Sequence, residues 1–228
     1  MNNKTRVVIA IILSVTIFIT PGCQIASHIL STPTPAPTLT PVNTPTKMPT
    51  LTPKPISDLS SAVLTLDDLP PGFEEYTLDE FGISADDFSN EDFQPKDVFI
   101  FVNPQDFQIV FGFNSLLTEK IDRAAFDVAM LQPEITLPVL VNGMGPENVH
   151  DEKLLEGMED IGEVQMGMTM IANMEGVPAQ VDVLMFRRNI IGAMVMSIVL
   201  EGQSPNITIH DLGLKLDQNI QDNLDTIE

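Results

Sequence analysis

Short apolar runs with strand character dominate the second half of the chain. DVFIFVN (97–103) and DFQIVFGFN (106–114) are rich in β-branched and aromatic residues and are separated by turn residues Asn103 to Gln105, which predicts a β-hairpin. Between Val164 and Leu200, VQMGMTMIAN, AQVDVLMFRR and IIGAMVMSIVL are joined by Met174 to Pro178 and by a tight turn near Arg188 and Asn189, which predicts a three-stranded antiparallel meander. Two stretches follow a helical period instead. From Glu119 to Leu131, Thr118 can cap the helix, Glu119 suits its positive end, and Ile121, Ala124 or Ala125, Val128 and Leu131 line one face before Pro133 closes it. A loop rich in Gly and Pro is expected next. At the C-terminus, Thr208 and Asp211 form a capping box, and Ile209, Leu212, Leu216, Ile220 and Leu224 follow at steps of three and four.

Upstream the pattern is weaker. A short apolar alternation from Ala62 runs into the forced turn Pro70-Pro71-Gly72. Phe81, Phe88 and Phe93 then stand among carboxylates, which fits either a partly docked helix or a loop with aromatic anchors. Together these elements predict an α+β domain in which helices cover an antiparallel sheet made of a hairpin and a three-strand meander.

The first 55 residues obey other rules. Lys4 and Arg6 precede thirteen uncharged residues, Val7 to Ile19, the layout of a secretory signal. Thr20-Pro21-Gly22-Cys23 follows and resembles the lipobox of bacterial lipoproteins, with Gly22 and Cys23 carrying the resemblance. That resemblance implies cleavage after residue 22 and acylation of Cys23, the sole cysteine of the chain. One acyl chain anchors marginally and two hold firmly, so a diacyl or triacyl cysteine would tether the protein to a membrane, facing outside the cytoplasm. From Thr32 to Pro55, eight prolines and eight threonines fill twenty-four residues. Proline fixes φ and lacks a donor, so this segment reads as an extended spacer reaching about 75 Å at ~3.1 Å per residue. The expected organisation is a signal peptide (1–22), a lipid-attachment cysteine with its Thr/Pro-rich linker (23–55), and one globular domain (56–228).

Charge narrows the partners. No acidic residue precedes Asp58, so the domain sets seven basic residues against all 32 acidic ones, a formal charge of −25. Nucleic acid and anionic head groups bind through Lys and Arg, and both are poor partners for such a surface.

Candidate chemistry is sparse. Met166, Met168 and Met170 recur at period two and so share one strand face, with Met194 and Met196 repeating the spacing. Thioethers suit Cu(I); the plainer reading is a packed apolar face, since Met fills irregular gaps, and an adaptable pocket for a small apolar ligand is a third. The pairs Asp67-Asp68, Asp86-Asp87 and Glu91-Asp92 suit either weak calcium binding or a solvated face. His150, Asp151 and Glu152, like His210 and Asp211, lack zinc or EF-hand spacing. Arg187 and Arg188 are expected to pair with carboxylates. No nucleophile-elbow or phosphate-loop motif occurs and no cofactor is implied, although a hydrolytic carboxylate pair leaves no local signature.

The phrase VDVLMFRRNIIGAMV and the terminal helix HDLGLKLDQNI are similar to extracytoplasmic sensor-type domains of bacterial lipoproteins and receptor kinases, whose fold resembles the small extrinsic proteins of photosystem II. The resemblance implies a binding or sensing module, and with the leader it gives the expectation of a lipid-anchored lipoprotein carrying a non-catalytic interaction domain. A carboxylate-pair hydrolase and a Met-based metal handler are the alternatives.

Overall fold

The central strands are apolar at nearly every position, and because successive side chains point to opposite sides of the sheet, both of its faces are apolar and both are covered. In the computed structural model, residues 59–81 and 96–225 are described, apart from positions 118, 144 and 175. The leader, Cys23, the spacer, Phe88, Phe93, Thr118 and the pairs Asp86-Asp87 and Glu91-Asp92 lie outside the described residues.

The strands are β1 (Glu74–Tyr76), β2 (Lys96–Asn103), β3 (Gln108–Leu116), β4 (Val149–Leu154), β5 (Val164–Met174), β6 (Val177–Arg188) and β7 (Ile191–Leu200). The helices are α1 (Lys120–Leu131), α2 (Pro133–Gly143) and α3 (Ile209–Asp225). Among the described residues the strands form one seven-stranded sheet in the order β1-β2-β3-β7-β6-β5-β4, every pairing antiparallel. The expected hairpin is β2–β3 and the expected meander is β5–β6–β7; β3 pairs with β7 from Ile109↔Ile198 to Leu116↔Ile191 and fuses them. The fold is α+β.

Turn chemistry fixes the register. In the β2–β3 turn, Asn103 Oδ1 accepts the N–H groups of Gln105 (3.0 Å) and Asp106 (3.2 Å), which lets the chain reverse at Pro104. Between β6 and β7, Asn189 takes φ = 54°, a left-handed value that Asn tolerates better than most residues.

One sheet face carries Ile100, Phe111, Met168, Val183 and Met196 against Phe126 and Met130 of α1 and Leu137 and Leu140 of α2. The other carries Phe101, Val110, Leu184, Phe186 and Val195 against α3 and the segment from Leu59 to Phe73. Helix α3 follows its sequence pattern. Asp211 N–H donates to Thr208 Oγ1 (3.1 Å), and Ile209, Leu212, Leu216 and Ile220 are buried.

The structure corrects the expectation of a Gly/Pro loop after α1. Pro133 opens α2 rather than merely ending α1, because a proline at the first helical position has no N–H to lose and a φ already suited to the helix. Strand β4 also lies within that expected loop. Five of its six residues are exposed, so no period-two signal marks it, and its charges suit a sheet edge. Glu119 occupies the cap position of α1, its N–H donating to Asp122 Oδ2 (3.3 Å).

A local box near β1 gives a pH prediction. Glu80 Oε2 accepts Thr77 N–H (2.8 Å) and Thr77 Oγ1–H (2.9 Å), and these bonds, the backbone one first, hold the Glu80 carboxyl below the ordinary Glu value. A depressed carboxyl contributes stability above its unfolded pKa and loses it as pH falls through the folded one. Thr77→Ala should return the Glu80 titration partway toward the ordinary value, as read by NMR of its carboxyl carbon; an unmoved titration would show that the hydroxyl bond contributes nothing.

Candidate interaction surface

Arg187 and Arg188 are consecutive on β6, so their side chains leave the sheet on opposite faces. Each meets the helix on its own side. Arg187 donates from Nε to Asp127 Oδ1 of α1 (2.6 Å) and from Nη2 to Asp127 Oδ2 (2.9 Å), with Nη1 reaching Glu163 and the Asn189 carbonyl. Arg188 grips Asp217 of α3 in the same two-pronged way, with Nε to Oδ1 at 2.8 Å. The Asp217 side chain is 4% exposed and also accepts the Gly162 N–H and the Gln221 amide. Hydrogen bonding to Asp127 and to Asp217 raises the pKa of the respective guanidinium further, so both arginines stay charged. The expected carboxylate pairing is present: the two arginines bolt one helical layer to each side of the sheet.

Gln108 does comparable work without charge. Fully buried, it accepts Asn206 N–H (2.7 Å) and Ile207 N–H (3.3 Å) on Oε1, and donates from Nε2 to the Ile207 carbonyl (2.7 Å) and Ser197 Oγ (2.9 Å). It fixes the approach to α3. Gln108→Ala leaves those backbone groups unpaired and should cost about 2 kcal/mol in urea unfolding, at ~1–3 kcal/mol per unsatisfied buried group; an unchanged midpoint would show that the loop holds itself.

Met166, Met168 and Met170 share a face as expected, and are 5%, 0% and 1% exposed. They lie in the apolar layer beneath α1 and α2 with Met194 and Met196. A shallow apolar hollow of about 20 Å³ lies where the β2–β3 turn meets β6 and β7, lined by Val102, Phe107, Ile109 and Leu200 among others. That volume suits about one water molecule, whereas small-molecule pockets run to ~300–1,000 Å³.

The remaining polar candidates sit apart. His150, Asp151 and Glu152 are exposed on β4, and His210 Nε2 lies 3.0 Å from Asp160 Oδ1. Asp68 accepts Thr65 N–H (2.8 Å) and the Asn219 amide (3.1 Å), tying the Leu66–Asp68 turn to α3. Asp182, 7% exposed, receives the Gln180 amide on both oxygens (3.0 and 3.1 Å). Among the described residues, no three His, Cys, Asp or Glu side chains converge as metal ligands would.

Helix α1 departs from the sequence reading in a way that matters. Ile121, Ala124, Val128 and Leu131 do share a face, lying within about 80° of one another at ~100° per residue. That face is not the seated one. Phe126, Ala129 and Met130 pack on the sheet, about 120–180° around the helix from the centre of that face at the same ~100° per residue. Ile121 is 58% and Leu131 71% exposed, Ala124 is exposed, and Val128 is half-buried. Ile135 of α2 is also exposed, at 38%. The helix therefore has two apolar faces, and the sequence pattern revealed the outer one. Among the described residues no single helix is long and apolar enough to cross a membrane; α1 and α2 pass that test only together, and they bend by 90° at their junction.

Comparisons with protein-family models, with curated proteins and with solved structures gave no match.

Proposed function

We propose that this protein is a membrane-anchored extracytoplasmic lipoprotein whose α+β domain is a non-catalytic binding or interaction module, held away from the bilayer by its Thr/Pro-rich spacer. The observation that carries the module reading is the outward apolar face of α1. Contiguous exposed apolar surface marks sites of association, and Ile121, Ala124 and Leu131 stand exposed on one face of a helix already seated by Phe126 and Met130. The leader, Cys23 and the spacer support the anchored part of the reading, and the −25 charge of the domain disfavours nucleic acid and anionic lipid as its ligands. Growth with an alkyne-bearing fatty acid tests the anchor: the full chain should acquire label and partition with membranes, and Cys23→Ala should lose both. Label retained by Cys23→Ala, or an unlabelled chain in the soluble fraction, would overturn it.

A further inference from the structure

We propose that this domain binds one soft monovalent cation, Cu(I), between the thioethers of Met166, Met185 and Met194. Sheet register, not the spacing within any one strand, brings these residues together. Met166 on β5 pairs with Met185 on β6, and Met185 pairs with Met194 on β7. Directly opposed residues have Cβ atoms about 4.5–5.5 Å apart, so three long side chains stand in a row on neighbouring strands, all in the layer beneath α1 and α2. Phe113 on β3 pairs with Met194 and closes the row.

Packing alone does not account for these methionines. The same strands build both sheet faces. Yet among the described residues seven of the twenty buried side chains in the layer beneath α1 and α2 are methionine, against one of twenty on the α3 side. Filling irregular gaps is what Met does well, and both layers share that need. What sets this layer apart is its concentration of neutral sulfur donors, which select Cu(I) over harder ions. Two further features suit a cation. Met185 is half-buried, whereas Met166 and Met194 are 5% and 7% exposed, so the middle ligand gives the site an entrance. A buried charge is costly unless compensated, and two residues along β6 on the same face Arg187 is held by both Asp127 and Glu163. One positive charge against two negative leaves a net negative charge beside the row. The site is separate from the outward face of α1 and does not depend on the fate of Cys23.

Anaerobic titration of the full chain in detergent against a chromophoric Cu(I) chelator tests it, in a Cys23→Ala background that removes the thiol as a competing ligand. The chain should withdraw one Cu(I) from the chelator, with X-ray absorption showing sulfur as the bound atom. Exchange of Met for Leu conserves volume and is well tolerated in cores. Met166→Leu, Met185→Leu and Met194→Leu should each weaken binding at least tenfold; if one of them fails to fold, the other two carry the comparison. Met174→Leu, in the same layer but paired with Val177 at the end of β5, should leave binding within twofold. A ligand of the folded state stabilises it, so Ag(I), of the same charge and softness, should raise the urea midpoint of the parent and of Met174→Leu but not of Met185→Leu. A chain that leaves all Cu(I) with the chelator, nitrogen or oxygen as the bound atom, or equal behaviour of Met174→Leu and Met185→Leu in either assay would overturn the site.

Discussion

Replacing Arg188 by Leu should cost about 3–5 kcal/mol of folding stability, the range for removing one partner of a buried ion pair. The size follows from what stays behind. Asp217 is buried against the sheet with a 4% exposed side chain, and without Arg188 its remaining donors are the Gly162 N–H and the Gln221 amide. Neither neutralises a carboxylate. The pair itself need not contribute net stability, since desolvation of both ions offsets much of their attraction, so Arg188→Leu combined with Asp217→Leu should recover most of the loss. Urea unfolding of the two variants reads this directly. A double variant as unstable as the single one would mean that Arg188 acts through packing rather than charge. The corresponding loss at Arg187 should be smaller, because the Asp127 and Glu163 side chains are 31% and 45% exposed and water can replace the guanidinium.

Gly112→Ala should destabilise by about 3 kcal/mol, the upper part of the usual range for overpacking a core. The ordinary expectation has the opposite sign, because Gly weakens a strand interior and Gly→Ala at a compatible site stabilises by about 0.4–1 kcal/mol. At this site a Cβ would stand 2.3 Å from Phe99 Cζ and 2.5 Å from the Met194 carbonyl oxygen. The ring can turn aside, but the carbonyl belongs to β7, held to β3 along its length. Adding Phe99→Leu should therefore leave most of the loss in place, as thermal unfolding of the single and double variants would show. A stabilised Gly112→Ala would contradict the close approach of β3 and β7.

Much of this architecture was legible because its elements carry strong local signals. The hairpin and the meander showed themselves by β-branched, aromatic and turn residues, although β3 and β7 are buried on both faces and do not alternate, while α3 repeats at helical steps and Thr208 with Asp211 marks where it starts. What escaped lacked a period or carried two. Strand β4 buries only Val149, and α2 is apolar nearly all round with Pro138 inside it, so neither displays a face. The candidate surface was legible as a pattern and not as a location. Ile121, Val128 and Leu131 make the more regular stripe of α1, whereas the seated face mixes Phe126 and Met130 with Arg123 and Asp127, whose polarity hides it. Asp127 is polar there because it must meet Arg187 across the layer, a pairing sixty residues distant that no local window contains. The arginines stood out in so acidic a chain; which helix each would hold required the sheet.

Met130 and Leu131 are neighbours on α1, about 100° apart around the helix, one buried and the other 71% exposed, and their alanine variants test the central claim most directly. Unfolding is best followed at protein concentrations low enough for the midpoint not to depend on concentration, so that association does not contribute. Met130→Ala should cost about 2–5 kcal/mol as a core truncation, and Leu131→Ala should change stability by no more than about 0.5 kcal/mol, as a surface substitution does. A loss at Leu131 equal to that at Met130 would place the stripe inside the domain's own core and remove the surface on which the functional reading rests.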